Sequence, residues 1–322
     1  MNEVTDARWV DGRARFHPVF DRLVRARGPR SPSFPPNGGP LHPAPEPSSD
    51  SPPSVEGLFC HLLRVLLVPG FAASLVGSLG EPLLDAACHV RTLGVAVETI
   101  PVHGLASSRR NARLIERAIA GARRPPDERM VLLGYSKGAM DALVAVTEHP
   151  GVADRVAALV SLTGSIGGSL LVDDLPEPLV GGLHRIRRWL PTGGLWSLRR
   201  RQRRAWLQTC RPPARVRLYS VAAHAGRERI SGLLRPSYER LRWTDRRNDG
   251  QVLLGDQIVP GSTLLAELNC DHWAAALPLT RSRPWLRHLG LNQNDFPRPT
   301  LLEAILRVID HDLMTEQSAE RA

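Results

Sequence analysis

The sequence predicts an α/β chain, with a mostly parallel sheet covered by helices on both faces. Two observations carry this. Short apolar runs recur from Leu62 onward with helical stretches between them. Each run then gives way to Gly, Pro or Ser, the residues that punctuate turns. Strands that are apolar throughout belong in sheets buried on both sides, and alternation with helices is how parallel strands are connected.

The first segment is the exception. Residues 1–55 are expected to form a disordered tail, with a short helix near Pro18–Ala26. Between Pro29 and Pro53 lie ten of the 28 prolines, interspersed with Ser and Gly. Such a stretch buries too little apolar surface to offset its ordering entropy, and a solvated linker is the plain reading. Residues 56–322 are then one domain. Its first strand is Arg64–Val68, closed by Pro69-Gly70, followed by a helix over about Ala72–Leu93. Val95–Val97 leads to Ile100-Pro101, and Ser108–Ala122 is helical. Met130–Leu133 ends at Gly134 before a helix over Lys137–Glu148, and Ala157–Ser161 runs toward Gly164. Val216–Val221 and Thr263–Leu268 supply the last strands, and Leu301–Leu313 is an amphipathic helix.

Composition narrows the class. At 322 residues and 42% hydrophobic, the chain can build a real core, which excludes a wholly disordered protein, collagen and a coiled coil. The most apolar window, Gly57–Gly80, is interrupted by Arg64 and Pro69, so no spanning helix is expected. Charged residues fill Met1–Pro18 where a secretory signal would be apolar; a cytoplasmic location, with or without peripheral membrane attachment, is the expectation. Cys60, Cys88, Cys210 and Cys270 are scattered, as buried free thiols rather than a disulfide frame or zinc site. No cofactor and no metal are expected, since no clustered ligand spacing appears.

In open parallel sheets the chemistry sits at the carboxyl ends of strands. After the third predicted strand comes Gly134-Tyr135-Ser136-Lys137-Gly138. A serine in this position is held on a sharp strand-to-helix turn with its Oγ presented, and flanking glycines remove clashing side chains. An acylated serine needs N–H donors for the oxyanion. Lys137 N–H, next after the nucleophile, is one candidate; Phe71 N–H, after the Pro69-Gly70 turn, is the other.

On these residues the chain resembles the α/β-hydrolase superfamily, over about Leu62 to Leu313. Asn248-Asp249-Gly250 and Asp271-His272-Trp273 look like the acid and base loops of its bacterial lipase- and esterase-like members. The resemblance implies a Ser–acid–His order, which Ser136, Asp249 and His272 keep. His272 also follows the apolar run Thr263–Leu268, whereas His103 and His224 precede the acid and His311 lies within a helix. Asp256 is the alternative acid. Asp249 departs from the superfamily habit in one respect, lying 26 residues beyond Ala223 rather than directly after a strand.

The resemblance also implies a cap or lid over the serine, here residues 168–212. Pro178–Arg227 hold twelve Arg and no acidic residue, so the formal net charge of +10 belongs to this segment. Trp189 and Trp196 are interleaved with the arginines between Arg185 and Arg204, and Trp206 follows just after them. A solvated helix face is the plain reading; peripheral contact with an anionic membrane is the next, and nucleic acid the least favoured. The expected activity is hydrolysis of a small-molecule or lipid carboxylic ester through an acyl-enzyme. A thioesterase or acyltransferase on the same residues, or a non-catalytic adaptor using the basic segment, are the alternatives.

Overall fold

A computed structural model describes residues 9–27, 39–45, 53, 55, 57, 59–71, 81–123, 125, 127–176 and 193–321. Seven strands form one parallel sheet in the order β1-β7-β6-β5-β4-β2-β3. They are β1 (Val10–Asp11), β2 (Leu62–Val68), β3 (Ala96–Thr99), β4 (Glu128–Tyr135), β5 (Val156–Leu162), β6 (Arg217–Ala223) and β7 (Thr263–Leu268). The central strand β4 is apolar over most of its length and pairs on both edges, with β2 from Leu62↔Glu128 to Val68↔Gly134 and with β5. This is the α/β-hydrolase architecture that the sequence predicts.

Helices cover both faces. On one side α1 (Arg13–Ala26), α2 (Leu84–Thr92) and a long C-terminal helix, Arg298–Arg321, close a core that includes Phe16, Phe20, Val131, Tyr219 and Ile305. On the other, α3 (Ser108–Gly121) and α4 (Lys137–Glu148) close a second core around Ile115, Leu132 and Leu143. Ser107 caps α3 by accepting the Arg110 N–H, satisfying one of the donors a helix start leaves open. Between β5 and β6 stand α5 (Leu170–Asp173), α6 (Gly194–Ser197) and α7 (Arg200–Thr209); β6 is followed by α8 (Arg235–Arg242), and Arg298–Arg321 is α9.

Two points differ from the sequence analysis. Residues 9–27, placed there in the tail, belong to the fold. Phe16, Val19, Phe20 and Leu23 recur at helical spacing and are buried against α9, and β1 adds to β7 in register Val10↔Thr263. Residues 39–45 also return to the sheet: Leu41 bridges Leu268, and His42 N–H donates to Glu267 O at 2.8 Å. The remaining Pro-rich stretch lies outside the described residues. Second, of the helix expected over Ala72–Leu93, residues 72–80 lie outside the described residues, and the described part is helical over Leu84–Thr92, starting just after Leu83 at φ 58. Among the described residues no helix is long and apolar enough to cross a membrane.

Candidate active site

Ser136 lies between β4 and α4 at φ 55, a conformation that costs a non-glycine residue energy and is sustained only by its surroundings. Those surroundings are specific. Ser136 N–H donates to Leu162 O at 3.1 Å, and Ser136 O accepts from Ser165 and Ala139 N–H. The elbow is also too tight for side chains on either glycine. A Cβ on Gly138 would fall 2.6 Å from Pro69 O and nearer still to Val68 O, and one on Gly134 would strike the Gly138–Ala139 backbone. Gly70 is pressed against the serine itself, where a Cβ would lie 2.8 Å from Ser136 Cβ. The turn that carries Phe71 therefore abuts Ser136. Phe71 packs with Met140, Val172, Leu195 and Leu198, an apolar cluster separate from the two main cores.

His272 reaches Ser136 from the turn after β7. Its Nε2 is 2.9 Å from Ser136 Oγ and its Nδ1 is 2.6 Å from Asp249 Oδ2. The network fixes the tautomer: Nδ1–H donates to Asp249, leaving Nε2 to accept the serine proton. Asp249 is fully buried. Its Oδ1 accepts the N–H groups of Gln251 (2.9 Å) and Val252 (2.7 Å), which satisfies the carboxylate and aims Oδ2 at the imidazole. The long interval before Asp249 folds back on itself. Ala225 N–H, just past β6, donates to Asn248 O, so the acid stands at the end of β6 despite its distance in sequence.

Sequence reasoning missed two supports. Tyr135 O–H donates to His272 O at 3.0 Å, with the two rings 5.3 Å apart. Burial holds the phenol well above its ordinary pKa, so it remains a donor. Asp271 accepts Ser231 N–H (2.9 Å) and Ala274 N–H (2.8 Å), pinning the turn that carries His272. Complete burial raises its carboxyl pKa above the ordinary value. Tyr135 meets its partner 137 residues away, and Asp271 joins a local N–H, that of Ala274, to the distant one of Ser231, so the full role of neither is written in its own segment.

The other candidates lie elsewhere. Asp256 pairs with Arg200 at 3.0 Å, His224 with Glu267 at 3.1 Å, and His311 is half exposed on α9. Lys137, the single lysine of the sequence, is buried and bonds both oxygens of Asp141 at 2.7 and 2.8 Å; Asn111 Nδ2 donates to the same carboxylate. Among the described residues no group of three or more His, Cys, Asp or Glu is placed to hold a metal. Contrary to the scattered-buried expectation, Cys60 and Cys88 are exposed, and only Cys270 is fully buried.

Of the basic segment, Arg185, Arg187, Arg188 and Trp189 lie outside the described residues. Much of the described part turns inward. Arg203 is 4% exposed, donates through Nε to Ile166 O and stacks 4.4 Å over Trp206; burial pushes its pKa down to about 10. Arg200 and Arg204 are drawn to Asp256, and Trp206 Nε1 donates to Glu148.

The fold is that of an α/β-hydrolase, and comparison with known proteins identifies the branch. The chain is similar to the metagenomic carboxyl esterase MGS0156 at 35% identity and a TM-score of 0.85, over 95% of this chain and 94% of that one. The lipase BlEst2 of Bacillus licheniformis in its mature form shares the fold at 19% identity and a TM-score of 0.57, over 74% and 96% of the two chains. EstA from Clostridium botulinum does so at 12% identity and 0.52, over 90% and 97%. No protein-family model matches, and comparison with curated proteins finds no match. The chain belongs to the α/β-hydrolase superfamily, and within it to the carboxylic ester hydrolases.

Proposed function

We propose that Ser136, His272 and Asp249 are the catalytic triad of this ester hydrolase. The observation that carries the reading is the unbroken hydrogen-bond chain from Ser136 Oγ through the His272 ring to Asp249, with distances of 2.9 and 2.6 Å. Ser136 Oγ attacks the ester carbonyl carbon as its proton passes to His272 Nε2. Asp249 holds the imidazole and stabilises the cation so formed. The N–H groups of Lys137 and Phe71 receive the charge on the carbonyl oxygen. Collapse expels the alcohol, which takes the proton from His272. A water, deprotonated by the same nitrogen, then attacks the acyl-enzyme, and Ser136 Oγ departs on the proton His272 returns to it, releasing the acid.

The apolar cluster of Phe71, Met140, Val172, Leu195 and Leu198 favours an uncharged acyl group. Three of its members come from residues 168–212, which supports their reading as a cap over the serine. Labelling by a fluorophosphonate probe tests the assignment. Wild type should react, Ser136→Ala should not, and His272→Ala should react far more slowly. Equal labelling of wild type and Ser136→Ala would sink it.

A further inference from the structure

The elements around Ser136 on the carboxyl side of the sheet form a continuous rim. Ser169 N–H, at the start of α5, donates to Leu198 O beyond α6 at 2.8 Å, and Asp174 beyond α5 pairs with Arg240 of α8 at 2.7 Å. The 3₁₀ turn Gly232–Leu234, which leads into α8, is tied to the chain just after the 3₁₀ helix Pro284–Leu289. There Leu233 N–H donates to Gly290 O (3.2 Å) and Gly232 N–H to Asn292 Oδ1 (3.1 Å).

Large apolar side chains stand exposed along this rim. They are Trp196 (46%), Leu233 (56%), Trp243 (89%), Trp285 (53%) and Leu289 (57%), half of the ten such residues among those described. Tryptophan is among the residues least often left in water, so three on one rim call for a partner. The same segments are cationic. Residues 224–248 hold seven Arg against three acidic residues, and 277–292 hold three Arg and no acid. Two of the three acids are already engaged, Glu239 with Arg227 and Arg242 and Asp245 with Arg247. Arg246 and Arg287, beside Trp243 and Trp285, have no carboxylate within ion-pair distance among the described residues.

We infer that this rim docks the enzyme onto an anionic lipid surface, with the indoles at headgroup depth, Leu233 and Leu289 in the acyl boundary and the arginines on lipid phosphates. Duplex nucleic acid would satisfy the arginines but gives the two leucines no hydrocarbon to enter. From the basic segment 185–204 the surface takes only Trp196, whereas Arg200 and Arg203 of that segment are turned inward. The inference rests on the Ser136 reading for one point only, that the surface so bound faces the reactive site.

Flotation of the full chain with vesicles tests it, using phosphatidylcholine alone and phosphatidylcholine mixed equally with phosphatidylglycerol. Wild type should float with the anionic vesicles only, and less at high salt. The double variant Arg246→Gln/Arg287→Gln should partition about 25-fold more weakly, at roughly fivefold per arginine. Trp243→Ala/Trp285→Ala should also weaken binding, while Met314→Ala, an exposed apolar site on α9, should not. All of these variants should keep wild-type fluorophosphonate labelling and hydrolysis of a water-soluble short ester. Failure of the wild type to float, equal flotation of the rim variants, or binding to duplex DNA in place of vesicles would each overturn the inference. Failure of the triad reading would show separately, as absent labelling of wild type.

Discussion

Replacing Gly138 by Ala separates two physical effects that act in opposite directions. The residue is in the first turn of α4 with no positive φ, so helix propensity alone predicts stabilisation of about 0.5–1 kcal/mol. The structure predicts the reverse. The new Cβ would lie 2.6 Å from Pro69 O and closer still to Val68 O, whereas ordinary contact begins at 3.4 Å. Both obstacles are backbone, so the elbow and the end of β2 must part by about 1 Å. Overpacking of this kind costs about 1–3 kcal/mol in stability. A displacement of about 1 Å at a reacting centre costs about 100-fold in rate, or about 2.7 kcal/mol of transition-state stabilisation. The assay is kcat/KM on a soluble p-nitrophenyl ester, paired with a thermal melt; Gly255→Ala, where a Cβ meets nothing within 4 Å, is the control. A Gly138→Ala enzyme within about threefold of wild type and melting no lower would refute the contact argument.

Other outcomes follow from the same geometry. Asp249→Asn should leave the fold intact and lower kcat by about 10⁴-fold, because an amide there permits the wrong imidazole tautomer; steady-state kinetics decide it. Phe20→Ala should cost about 3–5 kcal/mol in denaturant unfolding, since the ring is wholly buried between α1 and the sheet, whereas a true tail would show no change. Glu267 is held below its ordinary pKa of 4.5 by the hydrogen bond from His224, with Arg13 adding attraction. Its stabilisation is complete above pH 4.5 and is lost as pH falls through the lower folded value. Glu267→Gln should therefore lower the neutral plateau of a stability–pH profile and flatten its acid limb, converging on wild type at the acid end. Tyr135→Phe should slow labelling of Ser136 modestly, by removing the donor that holds the His272 carbonyl; the probe reaction gives the rate.

What could be read from the sequence was local. The runs ending at Gly70, Gly134 and Gly164 mark strands because burial on both faces demands continuous apolar residues. Ser136 and its flanking glycines announce a tight turn. Asp249 was harder to read, since the step that returns it to β6 is a single backbone bond, Ala225 to Asn248. The helix α1 was obscured by the prolines that follow it, although Phe16, Val19, Phe20 and Leu23 keep helical spacing. Tyr135 and Asp271 stand inside the motifs that were read, but nothing in the sequence marks them as supports of His272. Their roles exist only once β4, β7 and the 230s meet in space.

The buried pairing of Lys137 with Asp141 makes the site report on its own opening. Because the sequence has no other lysine, a protease specific for lysine has a single internal target, and folding hides it in the first turn of α4. Cleavage requires that turn to unwind, so where reclosing is faster than cutting, the digestion rate measures the free energy of local unfolding beside Ser136. A ligand that tightens the elbow would slow digestion, while one bound elsewhere would leave the rate unchanged unless it altered global stability. The molecule thus carries a native gauge of active-site integrity that needs no label, no substrate and no mutation.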